Sequence, residues 1–195
     1  MAEKVDRRVR KTKAQLRAGL ARLMQKKSIK EITVKELVEE VDINRSTFYL
    51  HYTDIYQMLE SIEAELMEEI THLVADYPLD PLNNKESSYP FIEQIFTILD
   101  HNKDICIALL GKNGDMAFVN RIEKLIADTV LHRLSIRLPK DNRDIEYAYA
   151  FCLNGCVGMI KTWLSSENQE STHMAELTHK LIDNTTHMYL EQALR

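Results

Sequence analysis

The sequence predicts an all-α protein. A three-helix N-terminal unit with a helix-turn-helix is followed by a larger helical bundle. Three observations carry this. Over 195 residues there are only 5 Gly and 4 Pro, too few punctuators for a many-stranded sheet. Apolar residues recur at helical spacing, and no useful length alternates as a strand would. Hydrophobic content of 45% supplies a core and excludes wholesale disorder.

The elements follow in order. Val9, Leu16, Leu20 and Leu23 recur on one face of a helix over 7–27, with Lys and Arg on the others. "SIKEI" breaks it. "TVKELVEEV" opens with a capping-box pattern, Thr33 with Glu36 three residues on, and Val34, Leu37, Val38 and Val41 form a stripe about two turns long. In "DIN", Asp42 is the turn residue, because Asp tolerates a left-handed backbone, and Asn44 suits the N-cap of the next helix. Thr53-Asp54 caps a long fourth helix carrying Ile55, Leu59, Ile62, Leu66 and Leu73. Residues 78–89, "PLDPLNNKESSY", read as a loop. Further helices are expected near 90–101, 103–110, 115–134, 142–165 and 171–193, broken at "GKNGD", "RLPKDN" and "SSENQES". Residues 1–52 and 53–195 are the expected domains.

The net charge of −5 hides an asymmetry. Residues 1–52 hold 13 Lys/Arg against 7 Asp/Glu, a surplus of six; the remainder holds 12 against 23. A basic first quarter on an acidic body is either a solvated basic helix or the contact surface for an anionic partner. No apolar run approaches the roughly 18 residues of a membrane span, and the basic N-terminus lacks the apolar segment of a secretory signal, so a cytoplasmic location without membrane contact is expected. Cys106, Cys152 and Cys156 form no CxxC pair and read as free, buried thiols.

The stretch "VDINRSTFYLHY" (41–52) is too polar for a core helix. Its apolar members are Phe48, Leu50 and Tyr52; around them stand Asn44, Arg45, Ser46, Thr47, Tyr49 and His51. Phe48 and Tyr52, one turn apart, can be buried, while Ser46, Thr47, Tyr49 and Leu50 face away. A short helix, a tight turn and a narrow polar second helix is the helix-turn-helix plan, whose second helix enters the major groove. Arg45 suits the O6 and N7 of guanine, and Tyr49 and His51 can donate to phosphates.

"TVKELVEEVDINRSTFYLHYTDIYQML" resembles the DNA-binding signature of TetR-family transcriptional regulators. Thr33-Val34, Leu37-Val38, Ile43, Thr47-Phe48-Tyr49, His51 and Tyr52 match it, and "KTKAQLRAGLARLMQKKSIKEIT" resembles the family's first helix and turn. Three positions depart. Asp42 stands at the turn glycine, Asn44 at the following serine, and Ile55 where the family places a phosphate-touching Lys. The resemblance implies DNA contacts from Thr33, Arg45, Ser46, Thr47, Tyr49 and His51, with Phe48 and Tyr52 in support. "NKDICIALLGKNGDMAFVNRI" and "YAFCLNGCVGMIKTWL" resemble a ligand domain of many Gram-positive members. That implies an effector pocket, with Phe96, Phe118, Tyr147, Phe151 and Trp163 as candidate lining.

These readings describe a regulator without enzymatic activity or cofactor that binds double-stranded DNA at a palindromic operator, and the resemblance implies that it acts as a repressor. The last two long helices, where Gly155 and Gly158 permit close approach, are the expected homodimer surface. Two rivals stand beside it. A di-iron bundle would use Glu69 with His72 and Glu176 with His179, the Glu-x-x-His spacing of such enzymes. A helical adaptor would need no DNA. No Gly-rich phosphate loop, HExxH or GxSxG is present.

Overall fold

A computed structural model describes residues 2–76, 88–135, 144–166 and 169–193. Among these residues it contains α-helices, one 3-10 turn and no strand. The helices are α1 (Ala2–Lys26), α2 (Val34–Glu40), α3 (Arg45–Tyr49), α4 (Ile55–Asp76), α5 (Ser88–His101), α6 (Lys103–Leu110), α7 (Met116–Ser135), α8 (Asp144–Leu164) and α9 (Ser171–Ala193). α1 begins five residues before the expected start, so the basic N-terminal segment belongs to the helix. "SIKEI" holds a 3-10 turn at Ile29–Glu31, closed by a capping box between Ser28 and Glu31. The expected "RLPKDN" break and most of the 78–89 loop lie outside the described residues.

The chain separates into two compact units. One comprises Met1–Met67 with Asn102–Val119; the other comprises Glu68–His101 with Asn120–Arg195. The first unit thus takes in more than residues 1–52, because α6 packs along α1. Leu16, Leu20 and Met24 of α1, Leu37 of α2, Phe48 of α3, Met58 and Ile62 of α4, and Ile105 and Leu109 of α6 are fully or almost fully buried there. Gly19 lets α2 close on α1. A Cβ at Gly19 would stand 2.3 Å from Val41 Cγ1 and 3.1 Å from Leu37 Cδ1. Arg17 ties α1 to the later segments, donating to Asn102 Oδ1 at 2.6 Å and to Glu65 Oε2 at 3.4 Å.

In the second unit, α5 packs on α9 and α8 on α9. Phe96 meets Trp163 edge-on with ring centroids 5.2 Å apart, a geometry that suits the ring quadrupoles. Trp163 Nε1 donates to the Gln169 carbonyl at 2.9 Å, so the buried indole keeps its hydrogen bond. Tyr89 stacks edge-on against His179 at 5.7 Å. Among the described residues no helix is long and apolar enough to cross a membrane.

Candidate nucleic-acid interface

The interface is set by how α2 ends. Asp42 adopts φ 52°, the left-handed conformation expected of the turn residue. Its N–H donates to the Glu39 carbonyl at 3.4 Å, and Ile43 N–H donates to the Val38 carbonyl at 3.0 Å. This pair of bonds is the Schellman stop, which satisfies the last carbonyls of α2 and turns the chain sharply. Thr33 Oγ1 accepts from Glu36 N–H at 3.2 Å, so Thr33 is the N-cap of α2. The reciprocal half of the expected capping box is different: the Glu36 carboxylate pairs with Lys27 of the segment after α1. That hydrogen bond, foremost, holds the Glu36 carboxyl below its ordinary range.

α3 stands on two buried rings. Phe48 is fully buried and Tyr52 nearly so, and their centroids lie 5.8 Å apart. Lys13 of α1 lies over the Tyr52 ring at 5.8 Å, and burial pushes the Tyr52 hydroxyl pKa upward. Arg45, Ser46 and Tyr49 are exposed, Thr47 and His51 half-exposed, and Thr33 exposed. All but Thr33 thus belong to one short helix and its C-terminal turn. Tyr49 meets Phe48 edge-on at 5.4 Å while 57% of it stays open to solvent. Asn44 occupies the N-cap position as expected, but its side chain makes no capping bond; its carbonyl accepts from Thr47 N–H at 2.9 Å.

Ile55, at the family's lysine position, is buried, which accounts for its apolar character. The start of α4 is capped by Asp54, whose Oδ1 accepts from Gln57 N–H at 2.8 Å. Leu50 faces away from the core, as expected, and is solvent-exposed. A helical wheel already places it opposite Phe48, but its apolar side chain gave no reason to include it in the site.

The charges sort by position. In the second half of α1 and just beyond, Arg17, Arg22 and Lys27 pair with Glu65, Glu40 and Glu36. Arg7, Arg8, Lys11 and Arg45 form no ion pair among the described residues and are exposed. Three of the first quarter's cations are therefore paired, while those near the start of α1 and at α3 form no ion pair among the described residues. Such uncompensated cations attract phosphates. An open cleft of about 490 Å³ lined by Leu23, Lys26, Lys27, Glu36, Glu39 and Glu40 is occupied by the ion pairs already described.

The five candidate effector residues do not gather in one place. Phe96 and Trp163 form the buried pair of the second unit. Phe118 is buried in the first unit. Tyr147 and Phe151 of α8 are 74% and 70% exposed, so one protomer does not enclose them. Leu177 and Leu181 of α9 are also exposed. Cys106 is buried, while Cys152 and Cys156 are half-buried; all three are free thiols. For the di-iron rival, His72 is exposed and pairs with Glu68, and His179 lies against Tyr89. Among the described residues no three His, Cys, Asp or Glu gather as a metal site.

Comparison with known proteins agrees with this geometry. A family model described as "Transcriptional regulator C-terminal region", of the TetR type, matches residues 86–184, half of the chain. The chain belongs to the TetR family of transcriptional regulators and is a DNA-binding regulator. It is similar in structure to a TetR transcriptional regulator from Streptococcus agalactiae, with a TM-score of 0.55 at 21% identity, over 93% of this chain and 99% of that one. It is also similar to a TetR-family regulator from Streptomyces coelicolor, with a TM-score of 0.59 at 16% identity, over 90% and 79% of the two chains. At these identities the likeness speaks for the fold. No curated protein matches the chain.

Proposed function

We propose that the chain is a cytoplasmic repressor that binds a palindromic DNA operator as a homodimer and is released or retained by a small effector. The supporting observation is α3 itself. Its buried side is Phe48, and its open side carries Arg45, Ser46 and Tyr49, with the Arg45 cation forming no ion pair among the described residues. Residues 1–52 supply DNA contact; residues 53–195 supply dimerisation and effector binding. Arg45 reads guanine with its two-pronged guanidinium. Ser46, Thr47, Tyr49, His51 and Thr33 hold phosphates, and Arg7, Arg8 and Lys11 add backbone contacts from α1.

The dimer surface is α8 with α9. A Cβ at Gly155 or Gly158 would meet nothing within 4 Å among the described residues, and Tyr147, Phe151, Leu177 and Leu181 are open on the same two helices. A second copy seated there covers the apolar side chains and makes use of the glycines. The effector is a small molecule with hydrogen-bonding groups, bound in the second unit. Among the described residues, Tyr149 Oη and Thr178 Oγ1 are buried there without hydrogen-bond partners, a costly state that a polar ligand relieves.

The test is binding of full-length protein to a duplex selected from a random pool and to its scrambled version, at several salt concentrations. Arg45→Ala is expected to lose roughly 1–3 kcal/mol on the selected duplex and less on the scrambled one. Equal losses would make Arg45 a phosphate clamp. A wild-type protein that selects no sequence would overturn the reading.

A further inference from the structure

Leu50 has the largest fractional exposure of any large hydrophobic residue described, 79%. It is no frayed end. Its backbone is helical, at φ −71° and ψ −18°, and its N–H donates to the Ser46 carbonyl at 3.2 Å. At about 100° per residue, Leu50 stands roughly 200° from Phe48 and Ser46 roughly 160°. Phe48 points into the core, so Ser46 and Leu50 hold the centre of the open face. Arg45 and Tyr49 flank them on one side and half-exposed Thr47 on the other. The outermost side chain of the recognition helix is therefore apolar.

A leucine in that place is matched by few surfaces. Its neighbours are hydrogen-bonding groups and an unpaired cation, so the partner is anionic and polar overall. Within it there must be a small apolar feature at the depth that the helix centre reaches. In the DNA major groove, the C5 methyl of thymine is such a group. We propose that Leu50 is a specificity-determining residue that packs against a thymine methyl in each half-site. This inference rests on the assignment of α3 as the DNA-reading helix. The helix rise of about 1.5 Å per residue puts Leu50 about 7.5 Å along the axis from Arg45. With base pairs stacked about 3.4 Å apart, the thymine lies about two base pairs from the guanine that Arg45 reads.

The experiment uses full-length protein and a duplex selected by it from a random pool. Each thymine is replaced in turn by uracil, which removes only the methyl, and affinities are measured for wild type and Leu50→Ala. Leu50 is 79% exposed and adds little burial to the fold, so the variant is expected to keep its circular dichroism spectrum. For wild type, one replacement per half-site is expected to weaken binding about fourfold, the size set by burying one methyl group. Leu50→Ala is expected to bind the thymine and uracil duplexes equally. If wild type selects a duplex but tolerates every uracil, the thymine contact is wrong and the Arg45 assignment stands. If Leu50→Ala keeps the same discrimination, another residue reads the methyl and the proposal falls. If no sequence is selected, the DNA-reading assignment of α3 fails and this inference with it.

Discussion

Gly19→Ala tests whether the recognition helix is held by a close approach of α2 to α1. On propensity alone the change stabilises α1 by about 1 kcal/mol, because Ala replaces Gly in a helix interior. The packing opposes it. The new Cβ would lie 2.3 Å from Val41 Cγ1, well inside the roughly 3.5–4.0 Å of ordinary carbon contact. Val41 is β-branched and cannot swing aside cheaply, whereas the nearby Leu37 Cδ1, the end of a flexible chain, can yield. Overpacking of this kind costs about 1–3 kcal/mol. The net expectation is a loss of about 1 kcal/mol in urea unfolding followed by circular dichroism. Operator affinity is expected to fall further than stability does, because α2 and α3 are joined by the short Asp42 turn and shift together. Val41→Ala in the same chain removes the clashing methyl, so Gly19→Ala with Val41→Ala is expected to be more stable than Gly19→Ala alone. A single Gly19→Ala variant stabilised by the full propensity gain would refute the close approach.

Further outcomes follow from the same structure. Gly158→Leu places a bulky side chain on the proposed dimer face, where an added Cβ meets nothing within 4 Å among the described residues; light scattering is expected to show about half the wild-type mass with the helical signal retained, and an unchanged dimer would remove α8 from the interface. The Glu36 and Glu40 carboxyls lie below their ordinary range, chiefly through hydrogen bonds from Lys27 and Arg22. Their folded-state pKa values are depressed, so the stabilisation they give is present above the unfolded value and lost as pH falls through the folded one. The fall in urea midpoint between neutral and acid pH is expected to be smaller for Glu36→Gln with Glu40→Gln, and an identical fall would refute their contribution. Burial pushes the Cys156 thiol up to about 11 and Cys152 upward as well. Since the thiolate is the reactive form, both are expected to react slowly with a disulfide reagent at mildly alkaline pH and quickly once unfolded; rapid labelling of folded protein would contradict this.

Local features were legible in the sequence because they depend on near neighbours. Helical spacing located the helices to within a few residues, apart from the early start of α1. Asp42 was readable as the left-handed residue, since few residue types tolerate that conformation. Phe48 and Tyr52 were readable as the buried pair from their one-turn separation, and membership of the TetR family from the likeness of the surrounding stretch to its signature. What depended on distant chain segments was not readable. Glu36 had two possible partners, its own N-cap and Lys27, and the packing of α2 against α1 chose the lysine. Gly19 gave no sign of its role until Val41 lay against it. Ile55 looked like a missing phosphate contact, but tertiary packing made it core. The resemblance placed Tyr147 and Phe151 in an effector pocket, yet each is exposed in the protomer. Periodicity says which residues share a face; only the assembled neighbours decide whether that face is covered, because burial is a property of the surrounding surface rather than of the residue.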